Sequence, residues 1–233
     1  MIQTFRSAGL SFYSEDIVKT DLSYTDLSII NLKKVGLSNA FLHNTCLNGV
    51  DLSGADLSRA DLSYAILKNA NLSDADLSNA NLLFANMSHS RFYKSNLNGA
   101  NLSNANLHFA RLGLSNLSEA NLQKALLSKA NLTKAILQKA ELNNAQMKFI
   151  DLEEADLSEA NLRGAILYKA DLRRANLSGA DLKGANLSGA NLIGAEFTKA
   201  LLLETNMTGA RIDSNYKKIF EFKVLGFDAI DWV

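Results

Sequence analysis

The side chains able to act on a substrate are few, and their placement is regular. The 233-residue chain has three histidines (His43, His89, His108), one cysteine (Cys46), and fifteen serines that recur on a common five-residue spacing. A serine or cysteine beside a histidine would make a nucleophile and its base, and two facing carboxylates would make an acid–base couple. No two of the histidines have metal-ligand spacing. Cys46 has no nearby histidine or flanking cation to lower its thiol pKa. The aspartates alternate with asparagines so often that paired-carboxylate chemistry would have to recur in a dozen places. Serines repeated without a base read as solvated turn residues. We therefore expect no enzyme, no cofactor and no bound metal.

The spacing that undercuts catalysis defines the elements. From Ile17 to Ile212, every fifth residue is apolar: forty positions, 33 of them Leu, without an insertion. Ala stands two residues before it in 28 of the forty units, and Asp or Asn lies between them in 26. A helix would turn such a position by about 140° per unit and smear it over every face. In an extended chain, residues two apart share a side, so Ala and Leu point inward and the residue between them outward. Because five is odd, a corner must turn the chain in every unit to keep each Leu inside. Nine of the eleven glycines within the repeats occupy the last position of the unit, as a turn with positive φ would select. The chain contains no proline, consistent with coils stacked by backbone hydrogen bonds.

A tandem A-(D/N)-L-x-x unit, as in Ala55-Asp56-Leu57-Ser58-Arg59, resembles the pentapeptide-repeat proteins. That resemblance implies an all-β fold, a right-handed quadrilateral parallel β-helix with four units per coil. Forty units would make ten coils, about 48 Å at the usual strand spacing. The expected organisation is an N-terminal cap over 1–14, with Phe5, Leu10 and Phe12 packing on the first coil, a β-helix over 15–214, and a distinct tail over 215–233. Within the tail, Tyr216, Ile219, Phe220, Val224 and Phe227 have helical spacing, while the alternation of Phe220, Phe222 and Val224 equally permits a strand. Our reading is a short helix to about Leu225, closed by Gly226, then an extended end with Ile230, Trp232 and Val233. The tail also resembles the C-terminal dimerisation module of the gyrase-binding members. Tyr216, Ile219, Phe220, Val224, Phe227, Ile230 and Trp232 would then form a homodimer contact; the alternative is a simple cap.

The best-understood activity in that family is mimicry of DNA by quinolone-resistance proteins that bind a type II topoisomerase, DNA gyrase. DNA carries one negative charge per about 1.7 Å, or about 28 over such a rod. With 24 basic and 24 acidic residues, this chain is neutral. Sorted onto four faces, its outward charge is net −3 on the face of Leu57, −2 on that of Leu62, +3 on that of Leu67 and +2 on that of Leu72. No face resembles a phosphate backbone.

What remains is a protein-binding scaffold. On the face of Leu67 the outward set includes Ile66, Lys68, Phe109, Leu126, Lys129, Lys148, Phe149, Ile166, Tyr168 and Lys169, with Asp26 as its one acidic residue. This predicts a basic, aromatic surface for an acidic protein partner; the alternative is scattered surface apolars. Tyr24, Tyr64, Leu83 and Phe84 lie on a neighbouring face. Units 85–95, where Met87 and Phe92 point inward and Ser90 and Ser95 replace Ala, are candidates for a widened coil. Outward Thr is too sparse for an ice-binding face. The N-terminus lacks an apolar signal segment and no apolar run would span a membrane, so the expected setting is cytoplasmic. Zero net charge argues against direct nucleic-acid or membrane binding.

Overall fold

The computed structural model describes residues 20–28, 30–221 and 223–233, so the expected cap over 1–14 lies outside the described residues. From Asp21–Phe41 to Asn191–Arg211, each outward Asp/Asn position pairs in parallel with the residue twenty further on. One circuit of the rod therefore takes four units, and the molecule is a parallel β-solenoid.

One unit shows why these residue types recur. All five backbone donors from Asp56 to Ala60 are used. Asp56 N–H donates to the Val35 carbonyl at 3.0 Å, one coil back, while Leu57 N–H donates to Asp76 at 2.7 Å, one coil ahead. Ser58 N–H donates to the Oδ1 of its own unit's Asp56 at 2.9 Å. Arg59 N–H donates to Ser78 at 2.9 Å, and Ala60 N–H closes the corner onto the Leu57 carbonyl at 3.0 Å. Asp or Asn is thus favoured between Ala and Leu because its side-chain oxygen accepts the one donor the ladder does not reach. Proline at any position of such a unit would remove a bond.

The corner requires positive φ at the last position, and the described units have it from Tyr24 to Gly209; Ser214, which ends the last unit, begins the 3₁₀ turn of the tail instead. Asn, Lys, Glu, Arg and aromatic residues fill most of these sites at φ near 57°, with glycine, Asp74 and Leu114 in the remainder, and no β-branched residue is among the described ones. A side chain branched at Cβ would be a severe outlier in this region.

Inside, the Leu and Ala columns are almost fully buried, and Met87 and Phe92 are wholly so. Where Ser replaces Ala, the hydroxyl donates to a core carbonyl: Ser95 to Phe92 at 2.8 Å and Ser115 to Leu112 at 2.6 Å, with Ser90 bonded likewise to Met87. The inter-coil bonds of Met87 and Phe92 are 2.7 Å, the same as in the flanking Leu coils. The stacking there is continuous.

The tail closes the far end. Strands β1 (Thr205–Asn206) and β2 (Arg211–Ile212) pair in parallel with β3 (Val224–Leu225) and β4 (Asp231–Trp232). Helix α1 covers only Lys217–Phe220, preceded by a 3₁₀ turn at Ser214–Tyr216. The expected helix to about Leu225 is therefore too long. The open edge of the last coil takes Val224–Leu225 as strand instead, and Met207 N–H donates to Leu225 at 2.9 Å. Gly226 has the left-handed backbone its type predicted, φ 74°, but it follows a strand rather than a helix.

Candidate interaction surface

Residues twenty apart occupy one corner in successive coils, so the last positions of the units on the Leu67 face form a column: His89, Phe109, Lys129, Phe149, Lys169. His89 and Phe109 stack with centroids 4.9 Å apart, and the Lys129 ammonium lies 5.2 Å from the Phe109 ring. Phe149 meets Tyr168 edge-on at 5.6 Å, and the Lys169 ammonium lies 5.3 Å from the Tyr168 ring. Cation–ring contacts of this kind hold long side chains flat along the rod.

The ten residues assigned to this face all lie on the outside, but not all equally. Ile66, Lys68, Phe109, Lys129, Lys148, Phe149 and Lys169 are exposed; Leu126, Ile166 and Tyr168 are half-buried. Leu126 and Ile166 flank Gln146 on one ladder, whereas Ile66 is separated from Leu126 by Asn86 and Asn106. Ile66 and Lys68 thus stand apart from the aromatic cluster. On the neighbouring corner Tyr64 and Phe84 also stack, at 5.2 Å.

Of the residues assigned to dimerisation, most cover the end of their own rod. Phe220 is fully buried, with Phe197, Tyr216 and Trp232 at centroid distances of 5.3, 5.6 and 6.5 Å. Ile230 is buried, and Val224 and Phe227 are half-buried against the same core. Ile219 remains exposed, as do Leu225 and Val233.

The histidines are all at outward positions. Among the described residues, His43 carries the one arrangement reminiscent of a catalytic triad, with Ser23 Oγ 2.8 Å from its Nδ1 and Asp61 Oδ2 3.9 Å from the same nitrogen. A relay needs opposite ring nitrogens for the two partners, so this group is a surface hydrogen-bond cluster. Cys46 Sγ accepts from Asn48 Nδ2 at 3.2 Å. Among the described residues no group of three or more His, Cys, Asp or Glu is placed to hold a metal, and no helix is long and apolar enough to cross a membrane.

Charge is segregated along the Leu72 face in a way that summation over the face conceals. After Lys33, Lys34, Asp51 and Asp74 come the basic Arg91, Lys94, Arg111 and Lys134, then Asp151, Glu153, Glu154 and Asp171, then Arg173 and Arg174, with Arg211 and Asp213 last. The carboxylates are largely paired: Arg173 contacts Asp171 at 2.7 Å and Glu153 at 2.9 Å, and Arg174 contacts Glu153 at 2.6 Å and Glu154 at 2.9 Å. The Arg173 hydrogen bond, against opposing burial, holds the Asp171 carboxyl below its ordinary range. Two arginines in the Asp/Asn position, Arg91 and Arg111, stand twenty residues apart. That spacing was the sequence signal for a stacked basic pair, and the face totals averaged it away.

A closed ladder of five-residue units, with its outer corners as continuous columns of variable side chains, defines a repeat protein with an extended outer surface available for recognition. The chain belongs to the pentapeptide-repeat family: the family model matches in eight copies, over 16–54, 55–92, 84–118, 115–148, 145–184 and 180–213. Among solved structures it is similar to HetL, a pentapeptide repeat protein involved in heterocyst differentiation regulation from the cyanobacterium Nostoc sp. strain PCC 7120. That match has 33% identity over 89% of this chain and 93% of HetL, with a TM-score of 0.44. The pentapeptide repeat protein Rfr23 of the cyanobacterium Cyanothece 51142 shares 41% identity over 41% of this chain and 61% of its own, at a TM-score of 0.34. QnrB1, a plasmid-mediated fluoroquinolone resistance protein, shares 18% over 88% and 95%, at 0.44. No curated protein matches the chain.

Proposed function

We propose that the protein is a non-catalytic scaffold, a right-handed rod of about ten coils acting in the cytoplasm, that binds an acidic protein partner along the Leu67 face. One observation carries this reading. Lys129 lies on the Phe109 ring, and one coil on Tyr168 lies between Phe149 and Lys169; Phe109 and Phe149 keep 45% and 47% of their surface exposed. Exposed aromatics beside cations suit an interface core and rim better than a solvated rod. Partner capture with a Phe109→Ser, Phe149→Ser variant tests it, since exposed sites can change without unfolding the ladder.

The second reading is a DNA-mimicking modulator of DNA gyrase, favoured by the shared family with a fluoroquinolone-resistance protein. Pairing of the Glu153, Glu154 and Asp171 carboxylates with arginines weakens it. A gyrase supercoiling assay with and without a quinolone discriminates: inhibition or protection at micromolar protein would favour the mimic. A homodimer would use the apolar residues the cap leaves outward, Ile219, Leu225 and Val233.

A further inference from the structure

The stretch from Leu77 to Ser118 contains no Asp or Glu, more than two full circuits of the rod. At the corner between the Leu67 and Leu72 faces, this stretch builds a groove of about 460 Å³ lined by His89, Arg91, Phe109, Arg111 and Lys129. A second recess of about 480 Å³, lined by Tyr93, Gly113 and Lys134, shares Arg111 with it and extends the groove across the next face.

The two arginines are the unusual element. Arg91 and Arg111 pair directly in the ladder, and both are exposed. Like charges placed opposite each other on adjacent strands destabilise a sheet. Elsewhere Arg163, Arg173, Arg174 and Arg211 each contact a carboxylate within 3.3 Å, and Arg59, which has no carboxylate contact among the described residues, stands in its column between Asn39 and Asn79 rather than opposite a like charge. Arg91 and Arg111 make no ion pair or side-chain hydrogen bond among the described residues. The repulsion is left for something outside the chain to relieve.

The groove's shape supports the same conclusion. Gly113 stands between Tyr93 and Thr133 in a column of outward side chains, outside the left-handed region. A Cβ there would come no closer than 3.5 Å to Asn131 Oδ1, an ordinary contact. The backbone does not demand glycine at this position; the missing side chain opens the notch.

We propose that this groove receives an extended acidic segment of a partner polypeptide, with carboxylates on Arg91 and Arg111 and the chain continuing past Gly113. Guanidinium forks suit carboxylates in bidentate geometry. A single-stranded nucleic acid would also be attracted, but it binds by stacking bases on open rings. Here the faces of His89 and Phe109 are turned to each other, and Lys129 covers Phe109. The proposal rests on the scaffold reading and gives that surface its anchoring charges.

The test is fluorescence polarisation at low salt with a labelled peptide of alternating Glu and Ser, compared with a neutral Gln/Ser peptide and a labelled oligothymidylate. The wild-type chain is measured beside Arg91→Glu/Arg111→Glu, Gly113→Gln and the charge-matched control Lys124→Glu/Lys183→Glu on the Leu62 face. Glu is already accommodated at the position of Arg91 and Arg111 in Glu141 and Glu196, at that of Lys124 in Glu119 and at that of Lys183 in Glu153, and Gln at the Gly113 position in Gln123 and Gln138, so each variant keeps the ladder. We expect the acidic peptide to bind, the arginine reversal to weaken it by about tenfold or more, Gly113→Gln to weaken it without a change of charge, and the control to stay within about twofold of wild type. No binding by wild type, equal loss in both charge reversals, or tighter binding of the oligonucleotide would overturn the proposal. The titration uses no natural partner. Its failure therefore leaves the Phe109/Phe149 capture experiment standing, and loss of that capture leaves a positive titration standing.

Discussion

Phe109 lies flat on His89, with ring planes 7° apart, because the two residues are twenty apart and hold the same corner in adjacent coils. Register alone brings them together; no loop or cavity is involved. The stack covers one face of Phe109 yet leaves 45% of the residue exposed. Phe109→Ala is therefore expected to cost less than about 1 kcal/mol in urea unfolding, as surface changes do. Leu107→Ala, two residues away and fully buried, is expected to cost about 2–5 kcal/mol. Equal losses would mean that the surface rings hold the rod together, and that their exposure carries no functional meaning.

The corner hydrogen bond makes a chemical prediction. Asp156 Oδ1 accepts from Ser158 N–H at 3.0 Å and from Asn176 Nδ2 at 3.2 Å. Asp156→Asn keeps a carbonyl oxygen for the backbone donor, whereas Asp156→Ala leaves it unbonded. Denaturation should show the alanine variant less stable by about 1–3 kcal/mol and the asparagine variant much closer to wild type.

Stability should fall only in strong acid. The Asp171 carboxyl is held below its ordinary range by the Arg173 hydrogen bond, against burial. At Asp156, burial pushes upward, and the hydrogen bonds led by Ser158 outweigh it. A depressed folded-state pKa adds stability that is complete above the unfolded value, about 3.9, and is lost as pH falls through the folded value. Urea midpoints should thus be flat from about pH 7 to about pH 5 and drop below about pH 4. Asp171→Asn should reduce that drop. A decline already under way near neutral pH would contradict this account.

The repeat, the inward Leu and Ala, and the positive-φ corner were all legible in the sequence, because five-residue spacing leaves an extended chain no other way to keep Leu57, Leu62 and Leu67 inside. The outward placement of Phe109, Phe149 and Tyr168 followed from the same parity. That Arg91 and Arg111 lack carboxylate partners was not legible, because it depends on which side chains meet across coils, and the net charge of a face does not carry that. The tail was also misjudged in part. Helical spacing from Tyr216 to Val224 is real, but the unpaired edge at Thr205–Asn206 captures Val224–Leu225 as strand.

That capture makes Gly226 a sensitive position. A Cβ there would meet Thr208, within 2.9 Å of its Cα and backbone nitrogen and against its Oγ1. Gly226→Ala should detach β3 and raise amide exchange at Met207 and Gly209, whose N–H groups donate to Leu225 and Ala229. Exchange in the central coils should be unaffected. Unchanged protection at Met207 would show that the cap does not depend on this contact.

For the homodimer, light scattering of the full chain is expected to give twice the monomer mass, and Ile219→Asp with Leu225→Asp, both exposed, should return it to monomer. A monomeric full chain would remove the dimer from the proposal.

The scaffold itself is tested most directly by quantitative partner capture from a lysate of the source cells. Three baits are compared: wild type, Phe109→Ser/Phe149→Ser, and Tyr64→Ser/Phe84→Ser on the neighbouring corner, whose rings are as exposed. The account predicts proteins enriched by wild type and by the Tyr64/Phe84 variant, and lost with the Phe109/Phe149 variant. Identical sets from all three baits would contradict it.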